Sequence, residues 1–329
     1  MNNGMVLQRQ LNNLGISAIY KRVVKGIRLI NYYYDLKNAL DIRKIKSKNT
    51  IDIINAYNKT ELEITIRNES DSCFYITYKS DMKQPLTYSM IPNKQGSSVN
   101  HLLSHIGMDN NGNTITIDFG ETPHLLIAGA TGTGKSVLLN TLIASLYHTT
   151  YRENFNIYCI DTKRTEFNKY KGLSNATIIT ESDKAIEILK GACDLMEERY
   201  KILEKEHNAT FNGIFIVIDE LADLMLLSDS QVENYIVRLA QKSRASNIHL
   251  ILATQRPMVK VISGLIKANI TTRIGLKMAS VRDSVMLFDK KCCEKLLGKG
   301  DALINDTRFQ VAMVSDDEWN KINNLYGGK

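Results

Sequence analysis

Gly129-Ala130-Thr131-Gly132-Thr133-Gly134-Lys135-Ser136 lies between two apolar runs, His124-Leu125-Leu126-Ile127-Ala128 before it and Val137-Leu138-Leu139-Asn140-Thr141-Leu142-Ile143 after it. Strand, glycine loop, helix is the context that turns the spacing G-x-x-x-x-G-K-S/T into a phosphate cradle. Gly129, Gly132 and Gly134 let the backbone wrap phosphates without a Cβ clash, so that N–H groups from Gly129 through Ala130, Thr131, Thr133 and on to Val137 turn inward. The helix opening at Lys135 adds its N-terminal partial positive charge. Lys135 is expected to reach the β- and γ-phosphates, and the Ser136 hydroxyl to ligate Mg²⁺.

A second segment, Ile214-Phe215-Ile216-Val217-Ile218-Asp219-Glu220, reads as a buried strand ending in two carboxylates. Asp219 is expected to hold Mg²⁺, through a water, because this ion gives up its hydration shell reluctantly. Glu220 is then placed to orient and deprotonate an attacking water. An ordinary strand-to-helix turn explains the first segment alone, and a solvated strand end explains the second alone. Both together, with their flanking strands, point to hydrolysis of a nucleoside triphosphate, with ATP and Mg²⁺ as the expected ligands.

Around these segments, short continuous apolar runs at 124–128, 156–160, 176–179, 214–218 and 248–253 alternate with helical stretches including 183–206 and 230–243. That order predicts a doubly wound α/β domain with a mostly parallel sheet covered on both faces. Upstream, Ile115, Ile117 and Phe119 alternate after a turn at Asn110-Asn111-Gly112-Asn113. Leu62, Ile64 and Ile66 alternate with polar residues, as do Phe74, Ile76 and Tyr78, whereas Pro85, Pro92 and Gly96-Ser97-Ser98 mark turns. Ile19, Val23, Ile27, Ile30 and Tyr34 fall at helical spacing. The expected organisation is a basic helical segment at 1–57, a small α+β subdomain at 58–105 and the nucleotide domain at 106–329.

The 329 residues carry a net charge of +7, with 43% hydrophobic and 23% charged residues, a soluble globular balance. Basic residues including Lys21, Arg22, Lys25, Arg28, Arg43 and Lys46 crowd the N-terminal segment around Tyr32, Tyr33 and Tyr34. Two readings stand: an aromatic-bearing basic arm for nucleic acid, or a solvated helix whose tyrosines pack on a neighbour. No apolar stretch reaches the ~20 residues of a membrane span, and Met1-Asn2-Asn3-Gly4 opens no secretory signal. A cytoplasmic protein is expected, reaching a membrane only through a partner. The five cysteines, 73, 159, 193, 292 and 293, show neither C-x-x-C nor zinc spacing, which argues against a disulfide framework.

Several longer segments resemble the FtsK/SpoIIIE family of DNA translocases. Asp219-Glu220-Leu221-Ala222-Asp223-Leu224-Met225 is similar to its Walker B signature. So, in their own places, are Thr122-Pro123-His124-Leu125-Leu126, Ile160-Asp161-Thr162-Lys163-Arg164-Thr165-Glu166-Phe167 and Arg238-Leu239-Ala240-Gln241-Lys242-Ser243-Arg244-Ala245. Ile248-His249-Leu250-Ile251-Leu252-Ala253-Thr254-Gln255-Arg256-Pro257, Gly264-Leu265-Ile266-Lys267-Ala268-Asn269-Ile270 and Leu296-Leu297-Gly298-Lys299-Gly300-Asp301 complete the match, which runs in order over about residues 105 to 305.

The resemblance implies a RecA-like P-loop NTPase core acting as a homohexameric ring around double-stranded DNA. It implies that Arg244 is the finger offered to a neighbour's γ-phosphate, with Arg273 as the alternative, and that Gln255 senses that phosphate. DNA phosphates would be met by Arg256 and Lys267. Val281 and Val285 stand where relatives carry basic residues, which leaves Arg282 between them to take over. Cys292-Cys293 stand where relatives have small residues, and read as packing. The membrane spans and DNA-reading C-terminal module of large members are not seen, so a stripped motor of a mobile element is expected. Its role would be transfer, replication or segregation, with a recruitment partner at a membrane or in a replication or transfer complex. Two other functions remain open: a protein-secretion ATPase of the same fold, and a nucleotide-gated DNA-binding scaffold.

Overall fold

The computed structural model describes residues 3–26, 29–38, 40–45, 47–58, 63–68, 73–79, 85–92, 102–150, 154–227 and 230–327. Arg28, Lys46, Ile27, Leu62 and the turn at Gly96-Ser97-Ser98 lie outside them. The chain divides into two units, Met1–Pro85 with Met108–Asn113, and Leu86–Gly107 with Thr114–Lys329.

The first unit holds α1 (Asn3–Asn13), β1 (Ala18–Lys25), β2 (Leu29–Leu36), α2 (Asp41–Ile45), α3 (Lys48–Asn58), β3 (Glu63–Asn68) and β4 (Cys73–Lys79). Its sheet runs β1-β2-β4-β3 and is antiparallel throughout. The helical reading of 16–57 is thereby corrected for 18–36, which form a hairpin. Three physical terms outweigh the helical spacing. Gly26 interrupts any helix, at a cost of about 1 kcal/mol, and here its N–H closes the turn on the Leu29 carbonyl at 2.8 Å. Val, Ile and Tyr favour the pleated surface. Tyr32, Tyr34 and Leu36 also alternate with period two, and all three are buried with Leu7, Leu11, Ile45 and Phe74. Tyr34 stacks on Phe74 at 5.2 Å, and Arg22 lies over the Tyr33 ring at 4.9 Å. The tyrosines therefore pack within the sheet.

The second unit is built on a ten-stranded sheet. Its strands are β5 (Leu103–Asp109), β6 (Thr114–Asp118), β7 (His124–Ala128), β8 (Phe155–Ile160), β9 (Ala176–Ile179), β10 (Gly213–Ile218), β11 (Ile248–Thr254), β12 (Thr272–Leu276), β13 (Asp301–Ile304) and β14 (Thr307–Val311). The order is β6-β5-β14-β13-β12-β7-β11-β10-β8-β9, and the six strands from β12 to β9 are parallel. Every apolar run read as a strand of this sheet is one.

The helices are α4 (Lys135–Thr149), α5 (Ser182–Lys205), α6 (Leu221–Met225), α7 (Gln231–Lys242), α8 (Gly264–Asn269), α9 (Val281–Phe288) and α10 (Asp316–Tyr326). Leu125 and Ile127 of β7 face α4 and α10, whereas Leu126 and Ala128 face the layer of α5 to α9. This two-sided burial explains why β7, β10 and β11 are apolar at almost every position; each fully buried Leu or Ile contributes about 1.5–3 kcal/mol. Among the described residues, no helix is long and apolar enough to cross a membrane.

Candidate functional site

Successive strands leave β7 on opposite sides, with β11 on one flank and β12 on the other. Such a switch point opens a crevice beyond the carboxyl ends of parallel strands. Residues 129–136 fill that place. The Gly129 N–H donates to the Thr254 carbonyl at 3.3 Å and the Ala130 N–H to that of Lys277 at 2.9 Å, tying the loop to the ends of β11 and β12. Gly132 and Gly134 have φ of +75° and +113°, conformations that glycine adopts without strain.

A third segment buttresses the loop from the side of β13. Gly298, Lys299 and Gly300 are all left-handed, and the Gly300 N–H donates to the Thr133 carbonyl at 2.7 Å. A Cβ on Gly134 would meet the Gly300 nitrogen at 2.7 Å. Asp301 holds this segment by accepting from the Leu297 N–H at 2.7 Å and from Arg308 at 3.0 and 2.7 Å.

At the start of α4, Gly134 supplies no side-chain cap. The N–H groups of Thr131, Gly132 and Gly134 have no acceptor among the described residues, so the loop carries backbone donors free to bind an anion. The Lys135 ammonium is buried below it, donating to the Asp219 carbonyl at 2.7 Å and to its carboxylate. Burial pushes the Asp219 carboxyl above its ordinary range, and the Lys135 charge opposes that push.

Because Ile160 pairs with Ile218, Asp161 and Asp219 follow on neighbouring strands and share a face. Asp161 is 2% exposed, and its Oδ1 has no partner among the described residues. The unpaired Asp161 oxygen, the Asp219 carboxylate and the Ser136 hydroxyl are the hard oxygen donors that Mg²⁺ takes, and would be the residues to hold it.

Glu220 is 5% exposed. Its carboxylate accepts from the Thr254 hydroxyl at 2.5 Å and from the Gln255 N–H at 3.1 Å. The Gln255 side chain reaches across to the phosphate loop, where the Thr131 hydroxyl donates to its Oε1 at 2.6 Å. The fold thus brings Gly129–Val137, Asp219, Glu220 and Gln255 to one place. It also brings in three residues that sequence reasoning left without a role, namely Asp161, Lys163 and Thr254. All three lie in segments that carried the family resemblance, but motif similarity does not say which side chains turn toward the site.

Arg244 is elsewhere. It precedes β11, whose Leu250 and Thr254 pair with His124 and Ala128 of β7, so it lies at the opposite end of the strands from its own phosphate loop, roughly 20 Å of strand away. Its Nε donates to the Gly120 carbonyl at 3.0 Å, and its exposed side chain lines a cleft of about 530 Å³ with Tyr200, His207 and Asn247. Arg273 is committed inward, to the carbonyls of Leu287 (3.0 Å) and Lys267 (2.8 Å) and to Asp289 (3.2 Å). Among the residues read as DNA contacts, Arg256 and Arg282 are exposed. Lys267 is paired with Asp289 at 2.5 Å.

The model of the FtsK/SpoIIIE family matches residues 91–213 and 204–259. The protein named DNA translocase FtsK in Clostridium acetobutylicum is 35% identical over 342 residues, covering 96% of this chain and 45% of that one. Its namesake in Caldanaerobacter subterraneus is 35% identical over 334 residues, covering 95% and 47%. The chain therefore spans about half the length of these relatives. The pCW3 conjugation coupling protein TcpA, solved in a monomer form with ATPγS, superposes with a TM-score of 0.67 at 25% identity over 99% of both chains. The cytoplasmic domain of the Thermomonospora curvata type VII secretion ATPase EccC has a TM-score of 0.61 at 24% identity, covering 72% of this chain and 32% of that one, a likeness of fold.

Proposed function

The chain belongs to the FtsK/SpoIIIE family, and from that premise we propose that it is an ATP-hydrolysing motor that moves double-stranded DNA as a homohexameric ring in the cytoplasm. The observation that carries the reading is the set of unpaired N–H donors of Thr131, Gly132 and Gly134 beside the buried Lys135–Asp219 pair, at the switch point of the sheet.

ATP would lay its phosphates against those donors, and Lys135 would swing from Asp219 to the β- and γ-phosphates. Ser136 and Asp219 would hold Mg²⁺, which supplies charge neutralisation at those phosphates. Glu220, oriented by Thr254 and the Gln255 N–H, takes the proton of the attacking water, while the Gln255 side chain registers whether a γ-phosphate is present. Arg244 lies too far from its own loop to act there, which supports its use on a neighbouring subunit. A head-to-tail contact of that kind closes into a ring. Arg256 and Arg282 would meet DNA phosphates without reading sequence. Lys267 joins them only if it leaves Asp289.

The relatives' name supports DNA as the substrate, and the likeness to a conjugation coupling protein over nearly the whole chain supports a role in DNA transfer by a mobile element. The test is ATP hydrolysis with and without linear duplex DNA, for the wild type and for Glu220→Gln. DNA should stimulate turnover severalfold, and Glu220→Gln should lower it by about 100-fold or more. Hydrolysis indifferent to DNA would overturn the translocase reading in favour of secretion, and binding of DNA without hydrolysis would leave a scaffold.

A further inference from the structure

We infer that Lys163 is a positioning residue for hydrolysis, acting through Glu220, an inference that rests on the ATP-hydrolysing reading above. β10 is flanked by β11 and β8, and each neighbour sends a donor to the Glu220 carboxylate. From β11 come the Thr254 hydroxyl, on Oε1, and the Gln255 N–H. From the segment after β8 comes the Lys163 ammonium, 3.7 Å from Oε2 and 3.5 Å from Oδ2 of Asp223.

The segment that carries Lys163 is held on several sides. The Asp161 carboxylate accepts from the N–H groups of Glu166 at 2.7 Å and Phe167 at 3.2 Å. The Thr162 hydroxyl donates to Asp223 at 3.0 Å. Phe167 and Tyr170 are buried in the main core. Arg164, directly after Lys163, sits at φ +61°, a left-handed conformation that is unfavourable for a non-glycine residue and persists where the surroundings impose it. A strained residue beside a buried anchoring carboxylate is a construction that fixes where the next side chain starts.

A general base loses efficiency when its carboxylate can rotate away from the water it serves. The Thr254 hydroxyl holds Oε1, whereas Oε2 accepts from the Gln255 N–H and has Lys163 on its other side, so that Glu220 is fixed about its final torsion from both flanking strands. Lys163 is not an arginine-type finger: it belongs to the same subunit as the Glu220 it faces, and the carboxylates of Glu220 and Asp223 hold it. Its side chain is 46% exposed, so replacement need not disturb the core.

The test measures ATP hydrolysis across ATP concentrations with saturating duplex DNA, together with the affinity for a fluorescent ADP analogue and the melting temperature. The proteins are the wild type, Lys163→Met, Lys163→Arg and Asp223→Asn. In Lys163→Met, kcat should fall about tenfold or more while KM and ADP affinity stay within about twofold. Lys163→Arg should regain most of the loss. Asp223→Asn, which removes the charge of the second partner and keeps an amide oxygen for the Thr162 hydroxyl, should stay within about twofold of wild type. An unchanged kcat in Lys163→Met, or an equal loss in Asp223→Asn, would overturn the inference. So would a loss of ADP affinity in proportion to kcat, which would make Lys163 a phosphate ligand. Absence of hydrolysis in the wild type would instead refute the ATPase reading itself.

Discussion

The two ends of the parallel strands handle charge in opposite ways. At the carboxyl ends, Lys135, Asp161, Lys163, Asp219 and Glu220 gather within one crevice, where one Asp161 oxygen and several backbone donors have no partner among the described residues. At the amino ends the rings of His124 and His249 are buried, and burial lowers the pKa of both; the buried Arg199 guanidinium is met by the carbonyls of Asn212 at 3.0 Å and Ser246 at 2.5 Å, and Arg244 is turned outward beside its cleft. His249 stacks on Phe215 at 4.8 Å and is fully enclosed. One end is prepared to take in a charged ligand. The other buries its histidine rings and carries an exposed arginine beside a cleft. The strand direction separates the phosphate loop from Arg244 by the length of the sheet.

The sharpest way to break that contrast is Arg244→Ala. If Arg244 completes a neighbour's site, its loss should lower kcat by about 10³-fold, as for other arginine fingers, with ADP affinity unchanged. Mixing Arg244→Ala with Lys135→Ala subunits should restore part of the activity, because mixed interfaces pair an intact loop with an intact arginine. No recovery on mixing, in a preparation shown to contain mixed assemblies, would remove the shared site.

The next test addresses the amino ends. Burial lowers the pKa of His124 from 6.5 to about 4 and that of His249 to about 3. Below pH 6.5 the unfolded chain takes up protons that the folded one refuses, so this contribution is complete above pH 6.5 and is lost as pH falls toward 4. Between pH 6.5 and 5 the loss should be about 1.5 kcal/mol per histidine, about 3 kcal/mol together. Denaturant unfolding of the wild type and of His249→Gln should show the variant's pH slope reduced by about 1.4 kcal/mol per unit. An identical slope would mean that the ring is protonated in the fold.

A smaller effect is expected at the carboxyl ends. Gly134→Ala puts a Cβ against the Gly300 backbone at φ +113° and should cost about 1–3 kcal/mol of stability. Gly132→Ala, at φ +75° with open space around it, should cost only about 1 kcal/mol. Equal costs, measured by denaturant unfolding, would show that the Gly298–Gly300 buttress does not constrain the loop.

Much of the motor unit was legible because its signals are local. A glycine loop between a buried strand and a helix, and a buried strand ending in Asp219-Glu220, state their own geometry, and full burial on two faces forces the continuous apolar runs of β7, β10 and β11. The first unit was harder. Ile19, Val23, Ile30 and Tyr34 satisfy a helical period, while Tyr32, Tyr34 and Leu36 satisfy a period of two, and a single segment can carry both patterns. Pairing with β4, more than 30 residues away in sequence, decides between them.

The sequence by itself determined the doubly wound sheet, the phosphate loop, the paired carboxylates and the family, because each depends on neighbours within a few residues or on a motif in fixed order. Only the tertiary structure decided that Thr254 and Lys163 converge on Glu220, that Gly300 braces Gly134, that Arg273 and Lys267 are drawn to Asp289, and that Arg244 faces away from its own loop. Those are consequences of which strands become neighbours and of which way they point, and a parallel sheet assembled from distant segments sets both only when it closes.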